Sequence, residues 1–262
     1  MARTLFMLSK KKMKLISPYL PKPRGKPRVD DRLVLSGIIY VRKTGIPWDQ
    51  APPEYGNWNT LYKRSVRWTR GGVFDRALAG LASTKVGTAM FDSTCCKAHR
   101  TAASLKAGPV PGANDDELPE GQKRKIGMTK GGRNTKVHAI CDGKGRPTGI
   151  LLTAGNVNDC TAATSLIDKL PASAKTLLAD KGYDTDEIRK ALKKKKVEAC
   201  IPSKANRTKP IPHDEKKYER RQEIERMFGR IKDWRGIAMR YDRCHDLFMG
   251  AVVLAAIFMF WL

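Results

Sequence analysis

Residues 175–184 read KTLLADKGYD, a short apolar run that stops on Asp180 and passes directly into a glycine-containing turn. A run of this length, bounded by turn formers, predicts a strand buried on both faces. The same pattern occurs upstream, where Ala89, Met90 and Phe91 lead into Asp92. Two apolar strands that each close on an aspartate predict a sheet presenting acids at one edge, where α/β proteins bind ligands. Taken alone, either aspartate is read equally well as a turn cap.

Working outward, Thr135–Cys141 and Thr148–Thr153 are β-rich and flank Asp142-Gly143-Lys144-Gly145, a hairpin signature. Helices are predicted over Asp159–Leu170, Thr185–Lys196 and Asp214 to about Arg235, with a strand over Val197–Ile201. The order implies a mixed sheet covered on both faces by helices. The apolar end, Leu247 to Leu262, is shorter than the roughly 20 residues that span a bilayer, so it reads as a buried core helix. Between Lys97 and Asn134 no element is predicted, only a glycine- and lysine-rich stretch (GQKRKIGMTKGGRN). Loops this long are functional or mobile, and phosphate contact and plain flexibility both fit.

The chain before this sheet divides in two. Residues 1–27 are basic and proline-rich and read as an extended arm. Residues 28–84 read as a small helical region. Asp30 or Asp31 caps a first helix carrying Leu33, Val34, Ile38, Ile39 and Val41 on one face. After Gly45, Pro47 and Pro52-Pro53, a second helix begins near Asn59 and ends at Gly71-Gly72, and a third covers Val73–Leu81. Lys63, Arg64, Arg67 and Arg70 on the second helix suggest a helix-turn-helix that contacts DNA, against the alternative of a helical cap with a solvated basic face.

Charge narrows the function classes. Lys and Arg number 51 against 26 Asp and Glu, a formal +25. Such an excess is self-repelling unless a polyanion offsets it, and nucleic acid is the usual partner. Five tryptophans and 41% hydrophobic residues argue against a small packaging protein. Six cysteines form no CxxC pair, and with four histidines no zinc spacing arises, so free thiols in a reducing cytoplasm are expected. The opening MARTLFMLSKKKMK places its apolar residues before its lysines, unlike a signal peptide.

The predicted long helix supplies the third acid. Tyr218, Arg221, Glu225 and Lys232 are spaced i, i+3, i+7 and i+14, which places them within about 60° on one face. Ile224, Met227, Phe228 and Ile231 form the neighbouring apolar stripe. Asp92, Asp180 and Glu225 together suit two Mg²⁺ ions roughly 3.5–4 Å apart, which activate a nucleophile and stabilise the leaving oxygen in phosphodiester chemistry. Arg221 and Lys232, one and two turns from Glu225, suit phosphate contacts. A solvated face of i,i+4 ion pairs is the ordinary alternative.

The Tyr218–Arg221–Glu225–Lys232 spacing resembles the signature of bacterial insertion-sequence transposases of the DDE type, in the family named after insertion sequence five. Five further blocks are similar: TGIPWDQAPPEYGNWNTLYKR, Asp92 to Arg100, LLTAGNVND, ADKGYD and the RYDR of Arg240–Arg243. The resemblance spans Asp30 to the C-terminus. It implies a ribonuclease H-like catalytic domain over residues 85–262, with Asp92, Asp180 and Glu225 as catalytic metal ligands. It further implies Mg²⁺, replaceable by Mn²⁺, and contact of Tyr218, Arg221 and Lys232 with DNA. The implied partners are double-stranded DNA, as terminal inverted repeats and as target, and further copies of the chain in a dimer or higher oligomer. The implied setting is the bacterial cytoplasm and nucleoid, with no membrane. A DNA-binding repressor without catalysis and a nuclease that cuts without joining are the alternatives. If the charge serves phosphate binding, affinity for duplex DNA falls by about a thousandfold or more between 50 and 200 mM salt in a fluorescence-anisotropy titration. A flat salt response is the contrary outcome.

Overall fold

The computed structural model describes residues 5–23, 25, 28–82, 86–104 and 124–262. Ser9 accepts the Lys12 amide and caps helix α1 (Lys10–Ile16). The stretch expected to be an extended arm is therefore folded onto the body of the protein. Leu8 and Ile16 are fully buried, Phe6 meets Phe258 edge-on at 5.3 Å, and the Tyr55 hydroxyl donates to the Phe6 carbonyl at 2.6 Å. The apolar side chains ahead of the lysines explain the difference, because burying them outweighs the extended preference of the proline-rich segment.

Helix α2 (Asp31–Thr44) is capped by Asp30 and ends at Gly45, whose φ of 70° is left-handed. Helix α3 (Trp58–Arg70) is capped by Asn57, and α4 (Val73–Leu81) follows Gly71-Gly72. Strands β1 (Thr88–Ala98), β2 (Gly127–Thr129), β3 (Gly132–Asp142) and β4 (Pro147–Ala154) come next. Asp92 is not at a strand end, as its flanks suggested. Antiparallel pairing with β3 continues from Ala89 opposite Asp142 to Lys97 opposite Asn134 and carries β1 past it. Strand β2 falls inside the stretch where no element was expected, and residues 105–123 of that stretch lie outside the described residues.

Helix α5 (Asp159–Asp168), strand β5 (Thr176–Leu178), helix α6 (Asp186–Lys194) and strand β6 (Glu198–Cys200) form the parallel half. The strand order β4-β3-β1-β5-β6 is set by the pairings, with β1 joining an antiparallel half to a parallel one. The remaining elements are α7 (Glu215–Tyr218), α8 (Gln222–Lys232), α9 (Arg235–Ala238), β7 (Met239–Arg240) and α10 (His245–Phe260). The single long helix expected over 214–235 is thus broken. A 3-10 turn at Glu219–Arg221 tightens the chain between α7 and α8 and changes the angular phase of α8 relative to α7.

Two apolar layers cover the sheet. Helices α2–α4, α8 and α10 pack on the face carrying Met90, Val137, Ala139 and Leu152. Helices α5 and α6 pack on the face carrying Phe91, Ile140 and Leu177. Helix α10 is buried along most of its length, touching α3, α4, α8 and β4, as a helix apolar on all sides requires. Among the described residues no helix is long and apolar enough to cross a membrane. Phe248 of α10 is fully buried in this core. Phe248→Ala is expected to lower stability by about 3–5 kcal/mol, read as a shift in the urea midpoint.

Candidate active site

Strand β1 has an open stretch on the edge away from β3. There β5 pairs with Thr88–Met90 and β7 with Lys97–Ala98, and among the described residues no strand pairs with 91–96 on that side. Asp92 lies in this gap, between the stretch paired with β5 and the stretch paired with β7. Its carboxylate is only 17% exposed. Oδ1 accepts the Ser93 amide at 2.8 Å, and Oδ2 accepts Arg221 Nη1 at 3.0 Å. Arg221 Nη2 donates to Glu225 Oε1 at 2.6 Å, so one guanidinium bridges two of the three acids. Glu225 itself is 54% exposed.

Helix α8 reaches this position because Ile224, Met227, Phe228 and Ile231 bury against the sheet at helical spacing. The β3–β4 turn also supports it. Gly145, at φ 72°, comes so close that a Cβ there would stand 2.8 Å from the Glu223 carbonyl oxygen. Asp180 follows β5 and accepts the Gly182 amide at 2.8 Å, capping a short 3-10 turn. A Cβ on Gly182 would lie 2.8 Å from Asp180 Oδ1, so glycine keeps that carboxylate in place. Lys232 Nζ donates to Thr94 Oγ1 at 2.6 Å, and the Arg221 guanidinium lies 6.0 Å from the Tyr218 ring centre.

The electrostatics tie these groups to one point. Burial pushes the Asp92 carboxyl above its ordinary range; the Ser93 amide and Arg221 oppose the shift and Asp180 adds to it. Burial would lower the Arg221 guanidinium, but Asp92, Tyr218, Glu225 and Asp180 together raise it. Arg221 therefore lies within the field of all three acids. Their hard oxygen donors suit a divalent cation, and the buried charge of Asp92 calls for one. Among the described residues no three His, Cys, Asp or Glu side chains already converge as a metal-holding group. The link between Asp92 and Glu225 runs through Arg221 instead.

Two family models match the chain. One, described as a transposase DDE domain, matches residues 87–260, and one for transposases of the IS4/5 family matches residues 8–78. The chain belongs to the DDE transposase family. A Brucella ovis relative named as a transposase of insertion sequence element IS6501 is 37% identical over 130 residues, 49% of this chain and 98% of the relative. A Burkholderia cepacia relative, named as that of IS402, is 28% identical over 156 residues, 53% and 72% of the two chains. Among solved structures, piggyBac transposase in a synaptic complex with hairpin DNA superposes with a TM-score of 0.50 at 8% identity. That match covers 94% of this chain and 68% of piggyBac, and it is a likeness of fold. The mixed sheet flanked by helices is ribonuclease H-like.

The basic residues expected on α3 are not near these acids. Arg64 is buried, and its Nη1 is 2.5 Å from Asp31 Oδ1, so this guanidinium is held inside the fold rather than offered to DNA. Lys63 and Arg67 are exposed, while Arg70, also exposed, pairs with Asp246 at 3.0 Å. His99 hydrogen-bonds Thr101 Oγ1 at 2.9 Å and stacks on Tyr241 at 4.8 Å. Spacing did not single out Ser93, Lys136 or Asp159, which share a network beneath Asp92. Asp159 closes the LLTAGNVND block, but its partner Ser93 is 66 residues away and no local pattern joins them.

The raised Asp92 pKa has a thermodynamic consequence in the transposase. A carboxyl raised on folding favours the neutral form, so its charge destabilises the fold above the ordinary carboxylate range. With chelator at about pH 7, Asp92→Asn is expected to melt at a higher temperature than the unmodified protein, and the gap is expected to close near pH 3. An Asn variant that melts lower at pH 7 is the contrary result.

Proposed function

We propose that the chain cuts DNA at the ends of an insertion sequence and joins those ends to target DNA. The observation that supports this reading is the bridge that the Arg221 guanidinium makes between Asp92 and Glu225, with Asp180 acting on Asp92 and Arg221 through its charge. Family membership and the formal +25 charge support the same partner class. The piggyBac relative in fold is itself described with hairpin DNA.

In this reading Asp92, Asp180 and Glu225 would hold Mg²⁺, or Mn²⁺ in its place. When bound, the ions supply Lewis-acid stabilisation of the attacking and leaving oxygens. The chain's own residues do the placing. The Ser93 amide fixes Asp92 Oδ1, while Arg221 holds the other oxygen, Oδ2. Arg221, next to Tyr218, balances the acids, and with Lys232, which bonds Thr94 two residues along β1 from Asp92, it would offer cations to a scissile phosphate. Residues 28–84 would grip the terminal repeats, with Lys63, Arg67 and Arg70 as phosphate contacts, and residues 85–262 would carry the catalysis. Two or more copies would pair the two ends, in the bacterial nucleoid.

The test mixes the protein with duplexes carrying the element ends, a target plasmid and Mg²⁺, and follows cut and joined products on gels. Asp92→Asn, Asp180→Asn and Glu225→Gln are each expected to abolish cutting while duplex binding persists. Full cutting by any of the three overturns the site. Cutting without joined product by the unmodified protein favours a nuclease.

A further inference from the structure

Asp159 lies on the opposite face of the sheet from Glu225, at the start of α5, yet it is coupled to Asp92. Ser93 Oγ donates to Asp159 Oδ1 at 2.8 Å, and the Ser93 amide donates to Asp92 Oδ1 at 2.8 Å. One residue thus grips an acid on each side of the strand. Asp159 Oδ1 is held in turn by Lys136 Nζ at 3.0 Å, and Lys136 also donates to the Val157 carbonyl at 2.7 Å. His138 Nδ1, fully buried and without a hydrogen-bond partner among the described residues, stands 3.8 Å from the same oxygen. The Tyr183 hydroxyl is pushed up by burial and by Asp159, Asp92 and Asp180, which places it among the same acids.

The location gives this network its purpose. Residues 91–96 of β1 pair with β3 on one edge and have no described strand neighbour on the other, so a ladder holds the backbone there from one side only. Asp159 adds a side-chain restraint to that single ladder by anchoring Ser93, whose amide sets the carboxylate of Asp92. We propose that Asp159 is a positioning residue, which through Ser93 fixes the orientation of Asp92 for cation binding. This rests on the reading of Asp92 as a metal ligand.

The test uses the full chain and Mn²⁺ alone, without DNA, and follows the free-ion signal by electron paramagnetic resonance, with thermal melting as a fold control. Loss of an outer-shell partner typically weakens metal affinity by about 10–100-fold. Ser93→Ala and Asp159→Ala are each expected to weaken Mn²⁺ binding in this range. The double variant is expected to be no weaker than Asp159→Ala alone, because both substitutions break one relay. Ser93→Thr, which keeps hydroxyl and amide, is expected to restore binding. Ser93→Ala with native melting and unchanged affinity overturns the relay. Asp92→Asn that binds Mn²⁺ as tightly as the unmodified protein overturns the ligand assignment, and the relay with it.

Discussion

A carboxylate turned into protein in the middle of a strand is the constraint around which this molecule is arranged. Asp92 cannot relax into solvent as a loop aspartate would, and burial alone works against its charge. The contact with Arg221 answers that charge and at the same time ties β1 to the segment leading into α8. Because Arg221 also bonds Glu225, the strand and the helix are joined at the point where their acids meet. The break in the helix at Glu219–Arg221 belongs to this arrangement. A 3-10 turn has a different angular step from an α-helix, so it sets where Arg221 points relative to the stripe that docks α8.

The supports behind this point come from both faces of the sheet. On one side, the apolar stripe of α8 and the bare backbone of Gly145 fix the helix. On the other, Asp159 of α5, itself held by Lys136 of β3, accepts the Ser93 hydroxyl. The RYDR segment is part of the scaffold. Arg240 is fully buried and bonds Thr135 Oγ1 at 2.6 Å, while Asp242 pairs with Arg42 of α2 at 2.6 Å. Those bonds fasten β7 and the helical N-terminal region to the same sheet.

The sequence carried much of this arrangement in local form. Apolar runs marked β1 and β5, the Asp-Gly-Lys-Gly turn marked the β3–β4 hairpin, and the cap at Asp30 fits the start of α2. What it concealed depended on distant partners. Asp92 looked terminal because the apolar run stops there, but strand pairing obeys the β3 register rather than hydrophobicity. The first residues looked extended because lysines and a closing proline-rich run mark the segment, while Leu8 and Ile16 had core sites that no local pattern shows. Arg64 looked available because every third or fourth residue of α3 is basic. Its pairing with Asp31 arises only when α2 and α3 pack.

The central place of α10 bears on how the chain reaches this state during synthesis. The helix fills the space between α3, α4, α8 and β4, all of which precede it in the chain. A ribosome stalled ahead of His245 holds a polypeptide with apolar surfaces bared on both the N-terminal helices and the sheet. Such a polypeptide is a substrate for chaperones and proteases rather than a partly working enzyme. An interrupted copy thereby leaves those apolar surfaces open to aggregation and clearance.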